Sequence, residues 1–134
     1  MAHEIFLTAK TSVDLMNETQ DVLKIHNEHF ELKKAALKNG VQIREIIGKS
    51  SAEGNLPLAL LNLAKSTPLL QVRILNSPPT ARLMIKDGKE IFFATTCKPS
   101  TLSQPFFWTN NPVIVQIVQQ WYNGIWATAN ACTQ

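Results

Sequence analysis

The alternation of apolar and polar positions predicts most of the secondary structure. From Asp21 the apolar residues fall at Val22, Ile25, Phe30, Leu32, Ala36 and Leu37, close to the helical repeat. Asn39-Gly40 ends that helix, since glycine accepts the left-handed backbone that follows a helix C-terminus. Val41 to Ile46 follows at once, alternating and β-branched, which predicts a strand. Upstream, the short apolar run Glu4 to Ala9 predicts a buried first strand, and Thr11 or Ser12 then offers an N-cap hydroxyl for a helix opening near Val13. Strand, helix, Asn-Gly, strand predicts a βαβ crossover with a parallel pair.

Further along, residues 48–54 are small and polar and predict a loop. Leu56 to Ala64 predicts a short helix with Pro57 in its first turn and Leu58, Leu60 and Leu61 on one side. Gln71 to Leu75 predicts a third strand. Pro78-Pro79 forces extended backbone before the next segment. Asp87-Gly88 then signals a two-residue hairpin between Arg82–Lys86 and Lys89–Ala94. Thr95 to Phe107 has no periodicity and two prolines, so it predicts a surface loop. A last helix follows, capped by Asn110 or Asn111, with Pro112 at its first position. Ile114, Ile117, Val118, Trp121 and Ile125 form its apolar face, Gly124 weakens its final turn, and it should fray near Ala129.

Composition narrows the class. With 134 residues and 45% hydrophobic positions the chain suits one globular domain. The net charge of +3 is mild, and Glu28 and Glu31 interleave with Lys33, Lys34 and Lys38. That cluster reads as a solvated helix face, so no direct nucleic-acid contact is expected. No apolar run is long enough to span a bilayer and the N-terminus lacks a signal-peptide pattern, which implies a cytoplasmic protein without membrane contact. Cys97 and Cys132 have no CxxC spacing and read as free thiols.

Few residue sets suggest chemistry. His26 and His29 lie three apart, but His-Asn-Glu-His is not the zincin spacing and no third ligand follows, so no metal or other cofactor is expected. Trp121 and Trp126 fit core packing. Trp108, beside Phe106, Phe107 and Asn110 in an aperiodic stretch, is a better binding candidate. Asp87 is what a tight hairpin requires in any protein. Arg82 is either a strand-surface residue or an anion clamp with a fixed fork of donors.

One frame goes beyond periodicity. Thr80-x-Arg82-x4-Asp87, followed by the strand Ile91-Phe92-Phe93-Ala94 and Thr95, resembles the His-x-Lys-x4-Asp signature of the phospholipase-D superfamily, with Thr80 at the histidine position. Ala35 to Arg44, an Ala-x4-Gly-Val-x-Ile-Arg segment, is similar to a second segment of that superfamily. The closing Phe107-Trp108-Thr109-Asn110-Asn111-Pro112 with Trp121 and Trp126 resembles the effector domains of TrmB-type transcriptional regulators and the sensor domains of certain archaeal histidine kinases. The resemblance covers Ile5 to Trp126.

It implies an α/β fold: a phospholipase-D-like half-domain with a mixed sheet that starts with a parallel βαβ unit, then a hairpin, then a C-terminal helix packed on the sheet. Residues 1–134 would form a single sensor or regulatory domain, a fragment of a longer signalling protein with an adjoining output domain. Threonine is a weak nucleophile without an adjacent base, so no catalytic residue and no enzymatic activity are expected. The residues expected to bind a small ligand are Lys10, Thr80, Arg82, Asp87, Thr95, Trp108 and Asn110. Lys10 joins them because ligands sit beyond the carboxyl ends of parallel strands, and it follows the predicted first strand. A half-domain also implies a homodimer. Two other readings are a phosphodiesterase or nuclease whose missing histidine is supplied otherwise, and a purely structural dimerisation module.

Overall fold

The computed structural model describes residues 2–49, 56–79, 81–94 and 106–131. Thr80, Thr95, Cys97 and Cys132 lie outside them, as do most of the predicted 48–54 and 95–107 loops. The elements are α1 (Ala2–Thr8), β1 (Ser12–Glu18), α2 (Thr19–Lys38), β2 (Gln42–Gly48), α3 (Leu58–Ser66), β3 (Leu70–Leu75), β4 (Leu83–Lys86), β5 (Glu90–Ala94), β6 (Phe106–Thr109), α4 (Pro112–Thr128) and β7 (Asn130–Ala131).

The strands form one sheet in the order β6-β5-β4-β1-β2-β3-β7. β1, β2 and β3 are parallel, with Val13 beside Ile43 and Ile43 beside Leu70. β4 lies antiparallel on the other side of β1, and β5 and β6 continue antiparallel from it. The predicted βαβ unit is present, but its first strand is β1, not Glu4–Ala9. That apolar run is the helix α1, with Ile5 and Phe6 buried and Leu7 67% exposed. A run of six has no period that separates strand from helix. The helix predicted to open near Val13 is instead β1, buried on both faces from Val13 to Met16.

Alternation along the strands divides the core in two. Val13, Leu15, Ile43, Ile47, Leu70 and Val72 pack with α1, α2 and α3 through Ile5, Phe6, Ala36, Leu37 and Leu60. Met16, Ile46, Leu83, Ile85 and Ile91 pack under α4 through Val115, Tyr122 and Trp126. Each such side chain contributes about 1.5–3 kcal/mol of burial. α3 buries Leu60, whereas Leu58, expected on the same side, is 71% exposed.

The predicted helix ends are present in detail. Gly40, at φ 85°, lets its N–H reach the Leu37 carbonyl while Val41 N–H reaches Ala36, which closes α2 in a Schellman motif. Asn111 caps α4, its Oδ1 accepting from Val113 N at 3.0 Å and Ile114 N at 3.2 Å. Asp87 and Gly88 both have positive φ, 55° and 64°, and Lys89 N–H closes the turn on Lys86 O. The register pairs Lys86 with Glu90, so the connection is three residues long instead of two.

α4 departs from expectation in which side it buries. Val115, Tyr122 and Trp126 face the sheet, while Ile114, Ile117 and Trp121 are 40%, 61% and 37% exposed. Outside the stripe of Gln116, Gln119, Gln120 and Asn123 the helix is apolar, so its apolar arc is too wide for periodicity to fix which part is buried.

Candidate functional site

The residues of the degenerate signature are distributed along the β4–β5 hairpin, and the sheet separates them. Arg82 precedes β4 at the end of the sheet where β1, β2 and β3 finish. Its Nη2 lies 3.3 Å from Oε1 of Glu18, the last residue of β1, and both side chains are mostly buried. The contact is one of opposite charges more than of an aligned hydrogen bond. Arg82 O also accepts from Ala94 N at 2.9 Å, which holds the two hairpin strands together at this end. Nearby, the chain at 77–79 crosses over Gly48 so closely that a Cβ there would lie 2.5 Å from Pro79 Cδ and 2.7 Å from Ser77 O. Only glycine fits that crossing.

Asp87 is at the opposite end. Five residues of extended chain separate it from Arg82, about 16 Å. Its carboxylate accepts from the backbone N–H groups of Lys10 (2.9 Å), Thr11 (2.8 Å) and Ser12 (3.1 Å) and from the Thr11 hydroxyl (3.1 Å). Burial acts to raise its pKa, but the bonds from Thr11, Ser12 and Lys10 outweigh burial and hold it below the ordinary carboxylate value. The Asp87 N–H in turn donates to Ser12 O. Asp87 thus ties the hairpin turn to the entry of β1. Lys10 meets it through backbone, with an exposed side chain, and lies at the amino ends of the parallel strands. The expected placement of Lys10 beyond a carboxyl end fails because the strand thought to precede it is α1.

Trp108 lies in β6, an edge strand, and not in a loop. It pairs with Phe92, and its Nε1–H donates to Glu90 Oε1 at 3.1 Å, where Lys86 also approaches within 3.5 Å. Asn110 is exposed at the mouth of an open hollow of about 670 Å³ between the hairpin turn and α4, lined by Gly88, Glu90, Gln116 and Gln120. Thr109 pairs with Ile91, so Trp108 and Asn110 are toward the Asp87 end of the sheet. The structure therefore does not gather Arg82, Trp108 and Asn110 around one ligand. Thr80 and Thr95 flank the Arg82 end in sequence.

A polar cluster under α4 was missed by the sequence reading. Asp14 and Arg44 are paired in register on β1 and β2, and Arg44 grips the carboxylate with two bonds of 2.8 Å. Gln119 Nε2 donates to Asp14 Oδ2 at 3.0 Å, and Arg44 Nη2 donates to Asn123 Oδ1 at 2.8 Å. The Asp14 bonds hold the Arg44 pKa above its ordinary value although burial acts to lower it. The guanidinium lies 5.1 Å from the Tyr122 ring and 5.3 Å from the Trp126 ring, and Arg73 lies 4.5 Å from Trp126. Tyr122 donates its hydroxyl to Leu15 O at 2.9 Å and Arg44 O at 3.1 Å. Burial, then the Asp14 charge, push its pKa far up, so it stays a neutral donor. This network pins α4 to the sheet. Its one sequence signal was Arg44, the last residue of the Ala35–Arg44 segment.

His29 packs edge-on to Phe6 with ring centroids 5.8 Å apart. Among the described residues, no three His, Cys, Asp or Glu side chains could together hold a metal ion, and no helix is long and apolar enough to cross a membrane.

A mixed sheet entered by a parallel βαβ unit, continued by the signature hairpin and covered on one face by the C-terminal helix defines a phospholipase-D-like fold. Solved structures share it. Nuc from Salmonella typhimurium, a phospholipase D family member, superposes with a TM-score of 0.72 at 18% identity, over 98% of this chain and 88% of its own. The archaeal chromatin protein TrmBL2, whose structure shows a novel mode of DNA binding, gives 0.69 at 20% identity, over 97% of this chain and 48% of its own. The phosphatidylserine synthase of Haemophilus influenzae Rd KW20 gives 0.63 at 12% identity, over 97% of this chain and 36% of its own. The chain thus spans about half the length of TrmBL2. No family model and no curated protein matches it by sequence.

Proposed function

We propose that this chain is a non-catalytic regulatory domain, one in which the phospholipase-D-like fold is kept and the phosphodiesterase chemistry is not. It would serve a longer signalling protein, a histidine kinase or a TrmB-type transcriptional regulator, by responding to a small ligand or a protein partner. The observation that carries the reading is the Arg82–Glu18 ion pair. Arg82 occupies the lysine position of the signature, and its charge is directed at a carboxylate of the same chain at 3.3 Å. Two positions before it the sequence has Thr80 in place of histidine, a hydroxyl without the nucleophilicity that attack on phosphorus near neutral pH requires. The regulatory reading also draws on the likeness of fold to TrmBL2, and the nuclease alternative draws on the likeness to Nuc.

Hydrolysis of bis-p-nitrophenyl phosphate and of plasmid DNA, with EDTA and with added divalent metal, separates the two. The expected result is no turnover above buffer. Turnover that disappears in Thr80→Ala overturns the proposal, because a contaminating nuclease would not depend on that residue.

A further inference from the structure

We infer that Asn39-Gly40 is a site of spontaneous covalent modification, where the Asn39 side-chain amide is converted to aspartyl and isoaspartyl products, and that the fold protects the second such step, Asn123-Gly124. This holds whether or not the chain is a regulatory domain.

The chain contains Asn-Gly twice. In such a step the glycine nitrogen can attack the asparagine Cγ, because the glycine has no Cβ to crowd the approach. The N–Cγ bond forms and the Cγ–Nδ2 bond breaks. Ammonia departs, taking up a proton equivalent to the one that the backbone nitrogen gave to solvent. Water then opens the five-membered imide. Opening at the new N–Cγ bond leaves an aspartyl residue. Opening at the original peptide bond routes the main chain through Cγ and lengthens it by one methylene. The reaction needs a side-chain amide that is free to turn and a glycine N–H that can leave its hydrogen bond.

Asn39 meets both needs. It is the first residue after α2, and it and Gly40 are exposed. Among the described residues nothing bonds its side-chain amide. The Gly40 N–H donates to Leu37 O at 3.0 Å, at the very end of the helix, where such bonds open at little cost. No atom lies within 4 Å of the place where a Gly40 Cβ would stand, so water reaches the step freely.

Asn123 meets neither. Its Oδ1 accepts from Arg44 Nη2 at 2.8 Å and from Gln119 Nε2 at 3.1 Å, which fixes the amide. The Gly124 N–H belongs to the ladder of α4, between the buried Tyr122 and Trp126. Releasing it unseats a turn that carries two packed aromatic side chains. Asn123 is exposed as Asn39 is, so hydrogen bonding and not exposure separates the two.

The modification falls on the joint between α2 and β2. The N–H groups of Gly40 and Val41 close α2 on Leu37 and Ala36, and Gln42 N–H donates to Thr11 O at 3.0 Å where β2 begins. An added methylene between residues 39 and 40 displaces these donors. Either product also places a carboxylate at a helix C-terminus, where the helix dipole disfavours it. Asn39→Asp carries the charge without the added length and separates the two effects.

The full chain, incubated in mildly alkaline buffer, is followed by peptide mapping with mass spectrometry and by isoaspartyl methyltransferase labelling. Asn39 should convert at least about tenfold faster than Asn123. In guanidinium chloride the two rates should converge to within about twofold, because the protection belongs to the fold. The isoaspartyl form, separated by chromatography, should melt roughly 3 °C or more below Asn39→Asp. Equal rates in the folded chain, a faster Asn123 or an unreactive Asn39 would overturn the inference, as would a rate gap that persists in guanidinium chloride. An isoaspartyl form that melts with Asn39→Asp would overturn the loosened joint.

Discussion

Replacing Asp87 tests what the signature aspartate does in this chain. Its carboxylate accepts bonds from three successive backbone N–H groups and one hydroxyl, between 2.8 and 3.1 Å at their shortest. Hydrogen bonds to an ionised group contribute about 1.5–3 kcal/mol each when desolvated, and less here, where the bonds to Lys10 and Thr11 are exposed. Asp87→Asn keeps Oδ1 and tolerates the left-handed backbone at φ 55°, but removes the charge and turns an NH₂ toward Lys10 N. Neutral bonds are about half as strong as charged ones, so the expected loss is about 1–2 kcal/mol. Asp87→Ala removes the acceptor altogether and adds the left-handed penalty of about 1 kcal/mol, for a total of about 3 kcal/mol. Urea unfolding at pH 7 should resolve both, and in thermal unfolding Asp87→Asn should melt roughly 5 °C lower. The pH dependence follows from the sign of the shift. Because the folded pKa lies below the unfolded value of about 3.9, the Asp87 contribution is complete above about pH 4 and is lost as pH falls through the folded value. The stability gap between wild type and Asp87→Asn should therefore close as the solution is acidified below pH 4. A gap under about 0.5 kcal/mol at pH 7, or one that persists unchanged into acid, would refute the assignment of Asp87 as the tie between hairpin and β1.

Two further outcomes are expected. Gly48→Ala should destabilise by about 2 kcal/mol or more, since its Cβ would stand 2.5 Å from Pro79 Cδ and 2.7 Å from backbone atoms; a melting temperature equal to wild type would contradict the close crossing. Lys33 and Glu45 form a 2.8 Å ion pair with side chains 7% and 1% exposed, so Lys33→Met should cost about 3–5 kcal/mol by stranding a buried carboxylate, whereas adding Glu45→Leu should recover most of the loss in a double-mutant cycle of urea midpoints.

The elements legible in the sequence are those whose signals are local. α2 ends at its own Asn-Gly, α4 starts at its own Asn-Pro, and the hairpin turns at Asp-Gly. Thr11 and Ser12 look like a helix cap, but their N–H groups are satisfied by Asp87, more than seventy residues away. No local rule contains that partner. β6 carries no strand signal in the sequence because an edge strand of four residues shows too little alternation to register. The site was legible in its frame but not in its grouping. The spacing of Arg82 and Asp87 is correct for the signature, yet an intervening strand carries them to opposite ends of the sheet. Glu18, which meets Arg82, and Asp14, which meets Arg44, belong to a strand that the periodicity assigned to a helix.

The central position of β1 has a consequence for synthesis. β2 and β3 can add to one edge of β1 as soon as they leave the ribosome, but the other edge is completed by β4, whose pairing with β1 joins Met16 to Leu83 and Val13 to Lys86. Until the hairpin emerges, the nascent chain therefore carries an unpaired strand edge in the middle of its future sheet, the kind of edge that can pair with neighbouring chains. Closing it requires a loop of some seventy residues, a contact that forms slowly compared with the local helices. That edge is covered only when the hairpin docks and Asp87 latches it to residues 10–12.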